Sequence, residues 1–286
     1  MRIGTVTELW RYPVKSLRGE RLAEARLQVH KGVLGDRGWA VRDEAKGEIR
    51  GGRNLHALVQ AESRYVAEPD GSTTPDAEIT LPDGTRFLTS DPQAANHMSR
   101  LVGRTVTLWP QQAPEAEEFY RRAPPDNPDL EAEYRALFGR VPGEPLPDMR
   151  QFPEELMTYV SPRGTFFDVW PLHFLTRATL AALQAEAPGS RIDVRRFRPN
   201  FVIDVAESGF VEQGWVGRRI RVGEVLVEVP APCPRCVITT LQQADLPKEP
   251  QIMRAIVRAA NQNIGAYGSV IEPGRIRLGD PVELAA

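Results

Sequence analysis

The sequence predicts an α+β protein that is mainly β, and three observations carry that expectation. Residues 1 to 109 break into short apolar runs separated by glycine, proline and Asp-Gly turns, the pattern of antiparallel strands and hairpins. The chain has no Gly-rich phosphate loop, no GxGxxG and few strand-helix-strand alternations, so a dinucleotide-binding parallel sheet is not expected. Helix start and stop signals flank only a few segments, all beyond residue 128.

The elements follow in order. "GTVTELWRYPV", "ERLAEARLQV", "RGWAVRDEAKGEIR", "LVQAESRYV", "AEITLPDGTRFLT" and "TVTLW" read as strands and hairpins. Residues 110 to 153 hold nine prolines and many acidic residues and read as an irregular insertion, with "DLEAEYRALF" as one short helix inside it. In "LTRATLAALQAEAPG", Thr176 stands where a helix N-cap belongs, and Pro188 with Gly189 stop the helix. "RRFRPNFVIDV" and "RRIRVGEVLVEVPAP" read as strands. "KEPQIMRAIVRAANQNIG" reads as a helix with Pro250 near its first turn and Gly265 beyond its end, and "RIRLGDPVEL" closes the chain as a strand.

A length of 286 residues suffices for one large or two ordinary domains. The expected division is 1–115 and 116–286, with 110–163 as a Pro-rich insertion or linker. The formal net charge of −2 supplies no global attraction to nucleic acid or an anionic membrane, so neither is expected as a partner, and any anion site must be a local basic cluster. No leader-like segment and no apolar stretch of spanning length is present, which makes the cytoplasm the expected compartment.

The two cysteines, Cys233 and Cys236, form the CxxC of "APCPRCVITT". Only four histidines are available to complete a zinc site, and none stands at finger spacing. A redox motif would place its first cysteine at a helix N-terminus, whereas the β-branched "VITTL" reads as a strand. Pro230, Pro232 and Pro234 bias the segment toward extended backbone. At about 3.1 Å per residue the two α carbons then stand roughly 9 Å apart, beyond the ~7 Å reach of a disulfide. One or two free thiols on a stiffened loop remain, either chemically used or buried as small apolar side chains.

Basic residues gather elsewhere. A two-residue period through "VRRFRPNFVIDV" puts Phe197, Phe201 and Ile203 on one face and Arg196, Arg198 and Asn200 on the other, an anion-recognising surface beside a core face. Pro199 requires an edge or a distortion there. "YPVKS" offers Lys15 and Ser16, and "GDRGW" offers Arg37 in a turn; point charge, hydroxyl and guanidinium fork suit a phosphate.

"YPVKS", "GDRGWAV", "RFRPNFVID", "PCPRCVITT" and "GRIRLGDPVEL", in that order along the chain, resemble the MOSC proteins (molybdenum cofactor sulfurase C-terminal domain) that carry an N-terminal MOSC β-barrel domain. That family has amidoxime-reducing members and bacterial members that protect against N-hydroxylated bases. The resemblance implies an N-terminal MOSC-type β-barrel domain packed on a C-terminal MOSC β-barrel with a few helices, and a molybdenum cofactor of the molybdopterin type; pyridoxal phosphate is not expected. It implies that Cys236 is the metal ligand and catalytic residue, and that Lys15, Ser16, Arg37, Arg198, Asn200, Arg235 and Tyr267 bind the cofactor. Pro234 departs from the family's small residue and removes a backbone donor. Val169 and Trp170 replace small or hydroxyl residues, and "LQQADLPKEP" replaces an Asp-Pro-Asp stretch.

The implied activity is a two-electron, two-proton reduction of N–OH to N–H and water on a small N-hydroxylated substrate. With no flavin motif and no iron–sulfur cysteine cluster in the sequence, electrons are expected from a separate donor protein of the ferredoxin, flavodoxin reductase or cytochrome type. The alternative is a molybdenum-cofactor carrier or sulfur-transfer protein without reductase turnover.

Overall fold

In the computed structural model, which describes residues 1–285, the polar loops of both ends of the chain converge because one sheet closes on itself. Seven strands make that barrel: β1 (Arg2–Arg11), β2 (Leu172–Thr176), β3 (Phe201–Asp204), β4 (Arg219–Val222), β5 (Val225–Glu228), β6 (Asn263–Glu272) and β7 (Pro281–Leu284). Around the barrel the order is β2, β3, β1, β7, β4, β5, β6 and back to β2; only β2 and β3 run parallel. The first strand of the chain thus sits between strands from its far end. Closure leaves no unpaired edge along this path.

The two-residue strand period fills the interior. Phe201 and Ile203 of β3 point inward with Leu9, Phe174, Val222, Val227 and Val282, all buried. Val202, between them, faces outward and packs with Trp10 and Tyr12. Burying each such side chain stabilises the fold by about 1.5–3 kcal/mol.

Val14, Leu17 and residues 39 to 110 form a second β-rich unit with its own core, including Leu17, Val41, Leu58, Ile79 and Met98, whereas Ala25, Leu27 and Val33 pack in the barrel core and Glu24–Gln28 pairs with Gly274–Arg277. Its hairpins match the sequence reading: Trp39–Asp43 pairs with Glu48–Arg50, and Ala77–Thr80 pairs with Arg86–Leu88. One helix, Ala94–Val102, was not anticipated there; Met98 packs it into the core and Gly103, at φ 69°, ends it.

Thr176 caps the helix Arg177–Glu186 by accepting from the Thr179 N–H at 3.0 Å, and Asp129 caps Leu130–Phe138 in the same way. Four readings need correction. "VITT" after Cys236 is a 3-10 turn, Val237–Thr240, rather than a strand, because the Thr239 and Thr240 hydroxyls donate back to the Cys236 and Val237 carbonyls. "RRFRPNFVIDV" is a strand only from Phe201; Val194–Arg196 is a 3-10 turn, so the alternation assumed for Arg196, Arg198 and Asn200 does not hold. The last helix ends at Ala259, earlier than read, and "RIRLGDPVEL" divides into Gly274–Arg277 and β7. No helix is long and apolar enough to cross a membrane among the described residues.

Candidate functional site

At the barrel end where β1, β3 and β6 meet the N-terminal unit lies a cleft of about 620 Å³, counting its open mouth. Lys15, Ser16, Arg37, Arg198, Asn200, Arg235, Cys236 and Tyr267 all line it. The structure therefore brings together all eight residues that the family resemblance assigns to metal and cofactor. Arg196, grouped with them by periodicity, is excluded: it is fully buried and donates to the carbonyls of Arg191, Leu241 and Pro247 at 2.8–3.1 Å.

Backbone strain positions three of the eight. Ser16, Arg37 and Arg198 are non-glycine residues in the left-handed region, at φ 70°, 51° and 56°. Each such residue costs of order 1 kcal/mol or more and persists only where neighbours hold it. The Ser16 hydroxyl accepts from the Gly52 N–H at 2.8 Å. Arg37 pairs with Asp36, and Arg198 donates to the Leu17 carbonyl at 2.6 Å. Both guanidiniums face the Tyr12 ring, at 4.9 and 4.3 Å from its centroid.

Asp36, which the sequence reading did not select, is the organiser of this corner. It is buried and accepts from the Tyr12 N–H at 2.7 Å and from Asn200 Nδ2 at 2.9 Å. Asn200 Oδ1 in turn accepts from the His173 N–H at 3.1 Å. The amide of Asn200 is thus committed to the protein, and it shapes the cleft rather than offering free donors.

The opposite wall carries the sulfur. Both cysteines are free. Cys233 is buried, and Arg235 Nη1 donates to its Sγ at 2.9 Å; burial pushes this thiol up. Cys236 is half-buried at the start of its 3-10 turn, against Val59 and Ile238. Arg235 Nη2 donates to the Phe197 carbonyl at 2.7 Å. Tyr267 on β6 packs against Trp170 at 5.2 Å and stands opposite His173 on β2. Burial and the nearby Cys233 push the Tyr267 hydroxyl well above its ordinary value, so it keeps its proton. His173 is driven down by burial and by Arg235, and its Nε2 bonds the Ile264 carbonyl at 3.1 Å. Gly265, at φ 84°, permits that approach, since a Cβ there would meet His173 Nε2.

Lys15 and Asp168 complete the rim. Lys15 Nζ donates to the Phe166 carbonyl at 2.7 Å and to Asp168 at 2.6 Å, and Arg53 reaches the same carboxylate at 3.4 Å. Burial opposes ionisation of Asp168, but the two cations outweigh it and hold the acid well below the usual range. The only sequence signal for Asp168 is a lone acid among apolar residues in "TFFDVW". Arg53 carried none.

Two donors test what the cleft fits. Arg198 Nη2 and Arg235 Nε are buried without a hydrogen-bond partner. An orphaned charged donor costs several kcal/mol unless an acceptor meets it. Four cations, one rim carboxylate and a half-buried thiol suit an anionic group that also presents a soft metal. Burial lowers Arg198 to about 10, with Arg37 adding to the effect, so a bound anion would relieve both. No group of three or more His, Cys, Asp or Glu side chains able to hold a metal lies among the described residues. A metal here would draw fewer than three such ligands from the protein and take the rest from its cofactor.

The Pro-rich insertion reaches this site, which its composition did not suggest. Arg140 is buried, donates to the Arg235 carbonyl at 3.3 Å and to the Phe138 carbonyl at 2.6 Å, and Gly139 abuts Val237 beside Cys236.

Comparison with known proteins gives the family of the chain. The MOSC N-terminal beta barrel domain matches residues 3–118, and the MOSC domain matches residues 163–283. Mitochondrial amidoxime reducing component 2 of Bos taurus is 26% identical over 298 residues, covering 98% of this chain and 83% of its own. Mitochondrial amidoxime-reducing component 1 of Homo sapiens is 26% identical over 309 residues, covering 99% and 83%. Among solved structures, the YUAD protein from Bacillus subtilis aligns over 98% of this chain and 94% of its own, at 10% identity and a TM-score of 0.43. With both domains matched in order around one cleft, the chain belongs to the MOSC-domain family, in the form that carries an N-terminal MOSC beta barrel domain.

Proposed function

We propose that the cleft binds a molybdenum cofactor of the molybdopterin type and that the protein reduces N-hydroxylated compounds, N–OH to N–H and water, with electrons from a separate donor protein. The observation that carries this reading is the meeting of the Cys236 thiol with the orphaned donors Arg198 Nη2 and Arg235 Nε in one cleft. Relatives named for amidoxime reduction, at 26% identity, support the substrate class.

When bound, the cofactor supplies the two-electron chemistry at molybdenum. The chain's part is to hold and orient. Cys236 as thiolate would hold the metal. Arg37, Arg198, Arg235 and Lys15 neutralise the anionic pterin, and Ser16 and Asn200 keep the turns that present them. Tyr267, kept protonated by burial, is a proton-bearing group on the thiol's side of the cleft.

The test is the molybdenum and pterin content of protein made in cells able to synthesise the cofactor, for wild type and Cys236→Ser. Close to stoichiometric metal in wild type and its loss in the variant is the expected result; well-folded wild type without molybdenum or pterin overturns the reading. Loaded protein is then assayed for reduction of hydroxylamine and benzamidoxime with a chemically reduced viologen. Loaded protein that hands its cofactor to an acceptor enzyme and reduces neither compound is a carrier instead.

A further inference from the structure

A second groove, of about 910 Å³ counting its open mouth, lies beside the cofactor cleft and is walled mainly by the Pro-rich insertion. Its ends are tied to the turn that carries Cys236. Gly52, next to groove residue Arg53, packs on Ile238, and Gly139, which ends the groove helix Leu130–Phe138, packs on Val237. Arg53 stands between the two spaces: it lines the groove, and its Nη2 is 3.4 Å from Asp168 on the rim of the cleft.

The groove's chemistry is mixed. Leu130, Met149 and Met157 are three of only ten large apolar side chains left exposed among the described residues, and all three line the groove with Phe138. Apolar side chains gathered in one concavity mark a binding surface more than the same number scattered would. The groove also carries cations with donors to spare. Arg122 spends only Nη2, on the Leu156 and Tyr159 carbonyls at 3.0 Å, and Arg53 makes only its long contact with Asp168. The Tyr134 hydroxyl also lacks a protein partner among the described residues. The acids that line the groove are already engaged: Glu48 accepts from the Ala123 N–H and pairs with Arg50, and Glu133 accepts from the Asn127 N–H at 3.2 Å.

We propose that this groove holds the body of the substrate and selects an N-hydroxylated compound whose aliphatic or aromatic frame carries a carboxylate. Hydrocarbon lies on the methionine and leucine side chains, the carboxylate meets Arg53 and Arg122, and the N-hydroxyl end extends toward Cys236. The inference rests on the reductase reading for that last contact alone. Guanidinium forks match a carboxylate in two-point geometry, while a soft, adaptable methionine surface accepts varied frames.

The experiment is calorimetric titration of the full-length protein with 4-phenylbutyrate and with 4-phenylbutanol, which shares the frame and lacks the charge. The acid is expected to bind at least about tenfold more tightly than the alcohol. Met157 is 64% exposed, so Met157→Glu places a negative charge in the groove without disturbing the core; it and Arg53→Gln are each expected to weaken the acid about tenfold. In loaded protein, 4-phenylbutyrate is expected to compete with 4-carboxybenzamidoxime. Equal affinity for acid and alcohol, no binding of either, or indifference to Met157→Glu overturns the proposal. The titration needs no cofactor, so failure of the reductase reading appears separately, as wild-type protein without molybdenum.

Discussion

Asp36 and Asn200, 164 residues apart, are joined by a hydrogen bond of 2.9 Å from Asn200 Nδ2 to the buried carboxylate. That bond ties the turn after the first strand to the start of β3, and both cleft arginines of that corner depend on it. Arg37 pairs directly with Asp36, and Arg198 lies two residues before Asn200 on the same Tyr12 ring.

Asp36→Ala removes the partner of a buried amide and a guanidinium, and is expected to cost about 3–5 kcal/mol. Urea denaturation measures the loss. Asp36→Asn keeps the shape but offers an amide where Arg37 needs a carboxylate. Its molybdenum content is expected to fall further than its stability does, and unchanged metal content would contradict the positioning role.

The two cysteines are expected to part company in an alkylation experiment. Cys233 is 3% exposed with its thiol pushed up by burial, whereas Cys236 is half-buried at the cleft. Iodoacetamide on folded, cofactor-free protein should therefore modify Cys236 first, because the thiolate is the nucleophile and access limits the other site. Peptide mass spectrometry reads the ratio, and loading with cofactor should protect Cys236.

Arg196 tests the separation of structural from site arginines. Its guanidinium stitches residues 239–247 to the turn at Val194–Arg196 through carbonyls. Arg196→Met leaves those carbonyls unpaired and is expected to lower stability by about 2–4 kcal/mol. Arg198→Met should lower cofactor content with a smaller change in the denaturation midpoint, since one of its buried donors is already unpartnered.

Glu212 makes a pH prediction. It is fully buried, accepts from the Thr176 and Thr179 hydroxyls at 2.8 and 2.7 Å, and has one oxygen without a partner. Burial pushes its carboxyl up, opposed by those hydrogen bonds. A raised carboxyl binds its proton more tightly folded than unfolded. Its contribution is therefore present below the unfolded value of about 4.3 and is lost as pH rises through the folded value. Glu212→Gln, which stays neutral, should gain stability relative to wild type as pH rises from 5 to 8. A constant difference across denaturation curves over that range would refute the assignment.

What the sequence determined by itself was the local chemistry. Hairpins followed from turn residues at fixed offsets, as in Asp83-Gly84; the helix start at Thr176 followed from a side chain that satisfies its own backbone; Lys15, Ser16, Arg37, Arg198 and Asn200 stood out as polar and basic residues near proline and glycine, while Arg235, Cys236 and Tyr267 were picked out by the family resemblance. Tertiary structure decided whatever depends on partners distant in the chain. Arg196 and Arg198 look alike at a two-residue spacing, yet one is consumed by carbonyls from residues 239–247 and the other turns, at φ 56°, into the cleft. Asp36 became an organiser only when β3 brought Asn200 to it, and the insertion came to lie against the Cys236 turn only through Gly139 packed on Val237. Buried polar groups must be paired, and for these residues the pairing is supplied from across the fold, where no local pattern records it.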